Sequence, residues 1–183
     1  DQAIACYQRA IQIDPQFAQA HCNLGNALRS QGQSSEALAC YRRAIQADPE
    51  YAEAYCILGL TLQQQGQLDE AIACCQRALQ IKPEYAAAWN NLGNSLKDQG
   101  LRAEALTCYR RALQIRPDLV AAHSNLVYTL HFCPEYSAAR IHEEHRRWSQ
   151  LHAAPLAARI QRHANDRSPD RRLRIGYISP DFR

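Results

Sequence analysis

Residues Ala86–Leu119 read AAAWNNLGNSLKDQGLRAEALTCYRRALQIRPDL, and the same pattern occupies Ala52–Tyr85 and Ala18–Tyr51. Pro15, Pro49, Pro83 and Pro117 mark the identical 34-residue step. A fixed period of this length describes a stack of small units, each burying its apolar face against the next. Within the quoted unit, Trp89, Leu92, Gly93 and Leu96 fall three or four residues apart and form one helical stripe. The equivalent sets are His21, Leu24, Gly25, Leu28 and Tyr55, Leu58, Gly59, Leu62. A glycine inside a helix lowers its propensity, so this one predicts a second helix approaching closely. Gly100 then ends the first helix with a left-handed cap. Ala105, Tyr109 and Ala112 line the second helix, which stops at Arg116-Pro117 because proline disfavours helical geometry in the residue before it.

The bulk composition agrees with a water-exposed helical array. The chain is 46% hydrophobic and 21% charged, and has no apolar run of membrane-spanning length. The net charge of +3 is uneven: residues 1–139 sum to −2 and residues 140–183, with ten arginines, to +5. That is too sparse and too scattered for a duplex-binding face, so nucleic acid is not expected as a partner. The Arg167–Arg174 run is read as solvated linker. Of the eight cysteines, Cys6, Cys40, Cys74 and Cys108 follow the 34-residue step, as do Cys22 and Cys56. They recur as small core residues and lack the spacing of metal ligands. Many free thiols suit a cytoplasmic location. His142-Glu143-Glu144-His145 puts two histidines one turn apart, but further ligands are missing and the spacing is not that of a metalloprotease helix.

The rhythm fails after residue 119. Val120–Leu130 keeps His123, Leu126 and Leu130 but has Val127 where the glycine should be. Pro134 follows, and Ser137 is placed to cap a helix reaching about His152, with a packing stripe of Ala138, Ile141, His145, Trp148 and His152. Glu143 and Arg147 are expected to pair on its other side. Organisation along the chain is therefore read as 1–17, the second helix of an incomplete repeat; 18–51, 52–85 and 86–119, three repeats; and 120–152, a degenerate repeat with a capping helix. A linker is expected over 153–172, and a strand with its exit loop over 173–183. With no methionine and a start at Asp1 inside a repeat, further residues are expected at both ends.

A large residue, then Leu-Gly, then Ala, aromatic, Ala and Pro at these positions resembles the tetratricopeptide family over about 130 residues. The resemblance implies an all-α, right-handed superhelical solenoid of antiparallel helix pairs, whose first helices line a concave groove. Asn23 and Asn26, Asn91 and Asn94, and Asn125 occupy the groove positions, and are expected to form a row of amides pairing with the backbone of a bound segment. Ile57 and Leu60 interrupt the row. Cys22, Cys56 and Asn90 stand where a basic clamp for acidic C-termini would need a cation, so that ligand is not expected.

The stretches His123-Ser124-Asn125-Leu126, Glu144-His145-Arg146-Arg147-Trp148 and Arg172–Arg183 (RLRIGYISPDFR) resemble the junction in O-linked N-acetylglucosamine transferases and their SPINDLY-like and bacterial relatives. That resemblance makes residues 173–183 the first strand of a truncated Rossmann-like domain, and implies a UDP-sugar donor in the parent protein. No catalytic, cofactor-binding or metal residue carries over to this chain. The expected partners are extended or disordered segments of client proteins. The competing readings are a pure scaffold without an enzymatic domain, and an assembly protein forming a homo-oligomer.

Overall fold

In the computed structural model, residues 2–159 are described, and they contain helices only. The strand expected over 173–183 and most of the expected linker lie outside the described residues. A lone helix, α1 (Gln2–Ile13), precedes three antiparallel pairs: α2 (Ala18–Ser30) with α3 (Ser34–Ala47), α4 (Ala52–Gln64) with α5 (Leu68–Ile81), and α6 (Ala86–Asp98) with α7 (Arg102–Ile115). Then come α8 (Val120–Leu130) and α9 (Ala138–Trp148), the latter continuing through a π-helical turn (Ser149–Ala153) into a 3-10 stretch (Ala154–Arg159). The first seven residues assigned to the linker are thus helical.

The helix glycines explain how closely each pair nests. A Cβ on Gly93 would lie 2.6 Å from Cε1 of Tyr109, whose ring is fully buried against the α6 backbone. Tyr41 covers Gly25 in the same way, while in the middle repeat Cys75 Sγ covers Gly59. Ala105 and Ala112 flank Tyr109 and are wholly buried, so small residues bracket one large one. At the turn between the helices, Gly100 has φ of 87° and open space where a side chain would be. It is required for its backbone angle alone.

At the C-terminal end, Ser137 caps α9 by accepting from the Arg140 N–H, and Tyr136, Ile141 and Trp148 pack on Leu126, Val127 and Leu130. The inward stripe differs from the sequence reading in two places: Ala138, in the first turn, is exposed, and the face shifts by one position at His145. His145 is exposed, and Glu144, one position earlier, turns inward with Ile141 and Trp148. The reason is a buried partner: Glu144 Oε1 lies 3.0 Å from Nε2 of His123, which is only 1% exposed. Arg147 accordingly pairs with Glu144, at 3.7 Å, and not with Glu143.

Candidate functional site

Helix α4 touches α6 and α6 touches α8, so the first helices of successive repeats stand side by side and form one wall of the array. Polar side chains cross between them. Asn125 on α8 donates through Nδ2 to Asn94 Oδ1 at 2.9 Å and Asn90 Oδ1 at 3.0 Å, both on α6. Asn90 Nδ2 reaches Asn91 Oδ1 at 3.4 Å, and Asn91 Nδ2 reaches the Cys56 carbonyl of α4 at 3.3 Å. Three first helices are therefore joined by one string of amides.

The structure brings together Asn91, Asn94 and Asn125 and sets Asn23 and Asn26 apart from them. Asn23 is half-buried on α2, where its Oδ1 accepts from Gln19 Nε2 at 3.1 Å. Its own Nδ2 has no partner among the described residues. Asn26 Oδ1 accepts from the Tyr41 hydroxyl at 3.0 Å, and Asn94 Oδ1 accepts likewise from Tyr109 at 2.9 Å. The ninth-position asparagines thus serve the core as well as the wall: a buried phenol needs an acceptor. Where Tyr is replaced by Cys75, the asparagine is replaced by Leu60. Ile57 and Leu60 give the middle of the wall a half-buried apolar step.

Asn90 is the residue the sequence reading undervalued. By sequence it is only a clamp position without a cation, yet it accepts from Asn125 and donates to Asn91. Its signal in the sequence was the Asn90-Asn91 pair itself, which places amides on two adjoining lines of one helix. On the same face Asp98 receives hydrogen bonds from Lys97 and Gln63. Burial pushes its carboxyl up, but those two bonds outweigh burial and hold it below the usual range.

Past Asn125 the wall becomes aromatic. Tyr128 and Phe132 are exposed with ring centroids 5.0 Å apart. Beside them is a cavity of about 370 Å³ lined by Ser124, Val127, Tyr128, His131, His145 and Trp148. Trp148 closes it by donating to Ser124 Oγ at 3.0 Å. Burial disfavours the thiolate at the core cysteines. Burial pushes the Cys56 and Cys108 thiols up to about 11 and Cys75 higher still. No cluster of three or more potential metal ligands occurs among the described residues.

Residues 1–28 and 25–66 match the TPR repeat family, and residues 52–85 and 86–119 each match the family described as tetratricopeptide repeat. The chain belongs to the tetratricopeptide repeat family. Such an array is a protein–protein interaction module. No curated protein matches the chain. Among solved structures, the array is similar to an O-GlcNAc transferase mutant of Thermobaculum terrenum, with 29% identity and a TM-score of 0.73, covering 76% of this chain but 27% of that one. It shares its fold with MamA at 22% identity and TM-score 0.66, covering 81% of this chain and 83% of that chain. YrrB, titled a TPR protein with an unusual peptide-binding site, matches at 22% identity and TM-score 0.67, with coverages of 84% and 78%. No helix among the described residues is long and apolar enough to cross a membrane.

Proposed function

We propose that the wall of first helices binds extended segments of client proteins, and that the array is the acceptor-recruiting part of a cytoplasmic protein O-glycosyltransferase. The observation that carries the first half is the amide string from Asn125 to the Cys56 carbonyl. Its internal bonds hold the amides in place, while Asn125 Oδ1 and Asn23 Nδ2 keep capacity unused among the described residues. An amide that both donates and accepts can pair with peptide backbone whatever the side chains. Each such bond nets about 1 kcal/mol, and a few give affinities on the order of micromolar to millimolar. Weak, sequence-tolerant capture suits many clients.

The second half rests on the 29% identity to the Thermobaculum transferase and on the junction-like stretches after residue 121. In this reading the UDP-sugar and the catalytic residues belong to a domain beyond the described residues. The array would present Ser or Thr hydroxyls to it. A scaffold with no enzymatic domain is the second reading. It is supported by the fold the array shares with the MamA and YrrB structures, the latter titled a TPR protein with an unusual peptide-binding site.

Fluorescence anisotropy with labelled, unstructured Ser/Thr-rich peptides tests the groove. Asn23→Ala should weaken binding several-fold, and Ile57→Asn, which fills the gap in the row, should strengthen it. Identical affinities for both variants and the parent would remove the groove reading. Transfer from UDP-N-acetylglucosamine to the same peptides by the complete gene product separates transferase from scaffold.

A further inference from the structure

Four of the seven histidines meet where α9 lies on α8. His123 Nδ1 lies 3.0 Å from His152 Nε2, while its Nε2 faces Glu144 Oε1 at the same distance. At the other end of α8, its C-cap His131 has Nε2 2.9 Å from His145 Nε2. The two imidazole pairs flank the Trp148–Ser124 bond, and each joins α8 or its C-cap to α9 or the turn that follows. Neither pair gains a third metal ligand among the described residues.

We propose that these two imidazole pairs form a proton-operated latch that holds α9 against the end of the solenoid at neutral pH and lets it go in mild acid.

The number of N–H donors limits how many protons each pair can hold. A neutral imidazole carries one N–H and one lone pair, and a protonated one carries two N–H groups and no lone pair. A pair bonded nitrogen to nitrogen is therefore satisfied with no added proton, or with one. With two added protons, N–H faces N–H and the contact repels. The Glu144–His123–His152 set obeys the same limit. With one proton, His123 donates to both Glu144 and His152. A second proton, on His152, leaves the two rings opposed.

Docked α9 thus accommodates two protons across the two pairs, whereas undocked the same four imidazoles are free to take up four in the pH range where histidine changes charge. The undocked form binds more protons, so docking is strongest above that range and is lost as pH falls. The difference of two protons weakens docking up to about a hundredfold per pH unit below it.

The surroundings do not cancel this count. Beside the pairs, α9 supplies His142, Glu144 and Arg147, while Arg140 and Glu143 of α9 and Arg110 of α7 line a cavity that none of the four histidines enters. Among these, Glu144 is the carboxylate that touches a paired histidine, and Arg147 approaches it at 3.7 Å. On α6, which packs against α8, Lys97 and Asp98 are paired to each other. Helix α8 has no carboxylate, Lys or Arg, its other titratable group being the exposed Tyr128. Burial opposes a charge on His123 more than Glu144 favours it, and its pKa is lowered.

Release would uncover the apolar end of the array, Leu126, Val127 and Leu130, together with Trp148. The latch is independent of whether the groove binds peptide.

Trp148 reports the event once the other tryptophan is silenced by Trp89→Phe. In that background, the full chain is titrated from pH 8 to pH 4.5 while emission wavelength and far-ultraviolet circular dichroism are followed. The latch predicts a red shift with a slope approaching two protons, at nearly constant helix content. His131→Gln and His152→Gln should each lower the slope by one, and the double variant should abolish the shift. Amide hydrogen exchange of α9, corrected for intrinsic rates, should rise in parallel. No red shift, a slope unchanged by both substitutions, or a shift coincident with loss of all helix would each overturn the proposal.

Discussion

The second and third repeats have the same helix spans and differ in what fills the space over the helix glycine. In the third, Tyr109 lies over Gly93 and its hydroxyl reaches Asn94; in the second, Cys75 lies over Gly59 and Leu60 holds the position of the asparagine. The first repeat sides with the third through Tyr41 and Asn26. The comparison shows that part of the amide row is dictated from inside. An asparagine at the ninth position follows from a tyrosine in the second helix, so Leu60 is the consequence of Cys75. Asn91 and Ile57, at the sixth position, are under no such constraint, and the row there reflects the wall itself.

Truncating the two core residues should break the comparison most visibly. Tyr109→Ala removes a fully buried ring and should cost about 3–5 kcal/mol, whereas Cys75→Ala, losing one sulfur, should cost about 1 kcal/mol. Thermal unfolding of each variant measures this; equal losses would mean that the repeats are not filled as described. A double-mutant cycle sharpens the pairing. Cys75→Tyr alone buries a hydroxyl with no acceptor, a penalty of about 1–3 kcal/mol. Adding Leu60→Asn should recover about 1 kcal/mol of it, seen as a coupling energy in urea denaturation. Additive effects would dissolve the link between the ninth position and the tyrosine.

The smallest effect compares the two tyrosines. Tyr41→Phe leaves Asn26 without its acceptor role, but after Tyr109→Phe the Asn94 oxygen still receives Asn125. Tyr41→Phe should therefore be the more costly, by about 0.5–1 kcal/mol, in the same urea titration.

The repeat period, the close approach at the helix glycines and the Ser137 cap were legible because each depends on residues near in sequence or at a fixed offset. The inward face of α9 was not. A carboxylate such as Glu144 counts as polar in any periodicity, and only the fold shows that buried His123 stands opposite to receive it. His123 itself was legible as a packing residue, since it shares the fourth position with His21 and Trp89. Those two bond to the carbonyls of Pro15 and Pro83, at 2.9 Å each. His123 bonds to α9 instead, so one repeat position acquires a different task where the array stops. The amides divide likewise. Their positions on one wall could be read from spacing, but Asn90 became visible as a member only when Asn125 was seen to cross from the next helix.

The turn at Gly100 has a stereochemical consequence. Its φ of 87° lies in the half of backbone space that mirror-image residues favour, and nothing lies within 4 Å of the position a Cβ would occupy. L-residues meet strain there, but a D-alanine introduced by chemical ligation would rest at its own energy minimum. Because Gly32 and Gly66 share that geometry, the same D-residue could stiffen every joint between paired helices, leaving both walls of the array untouched.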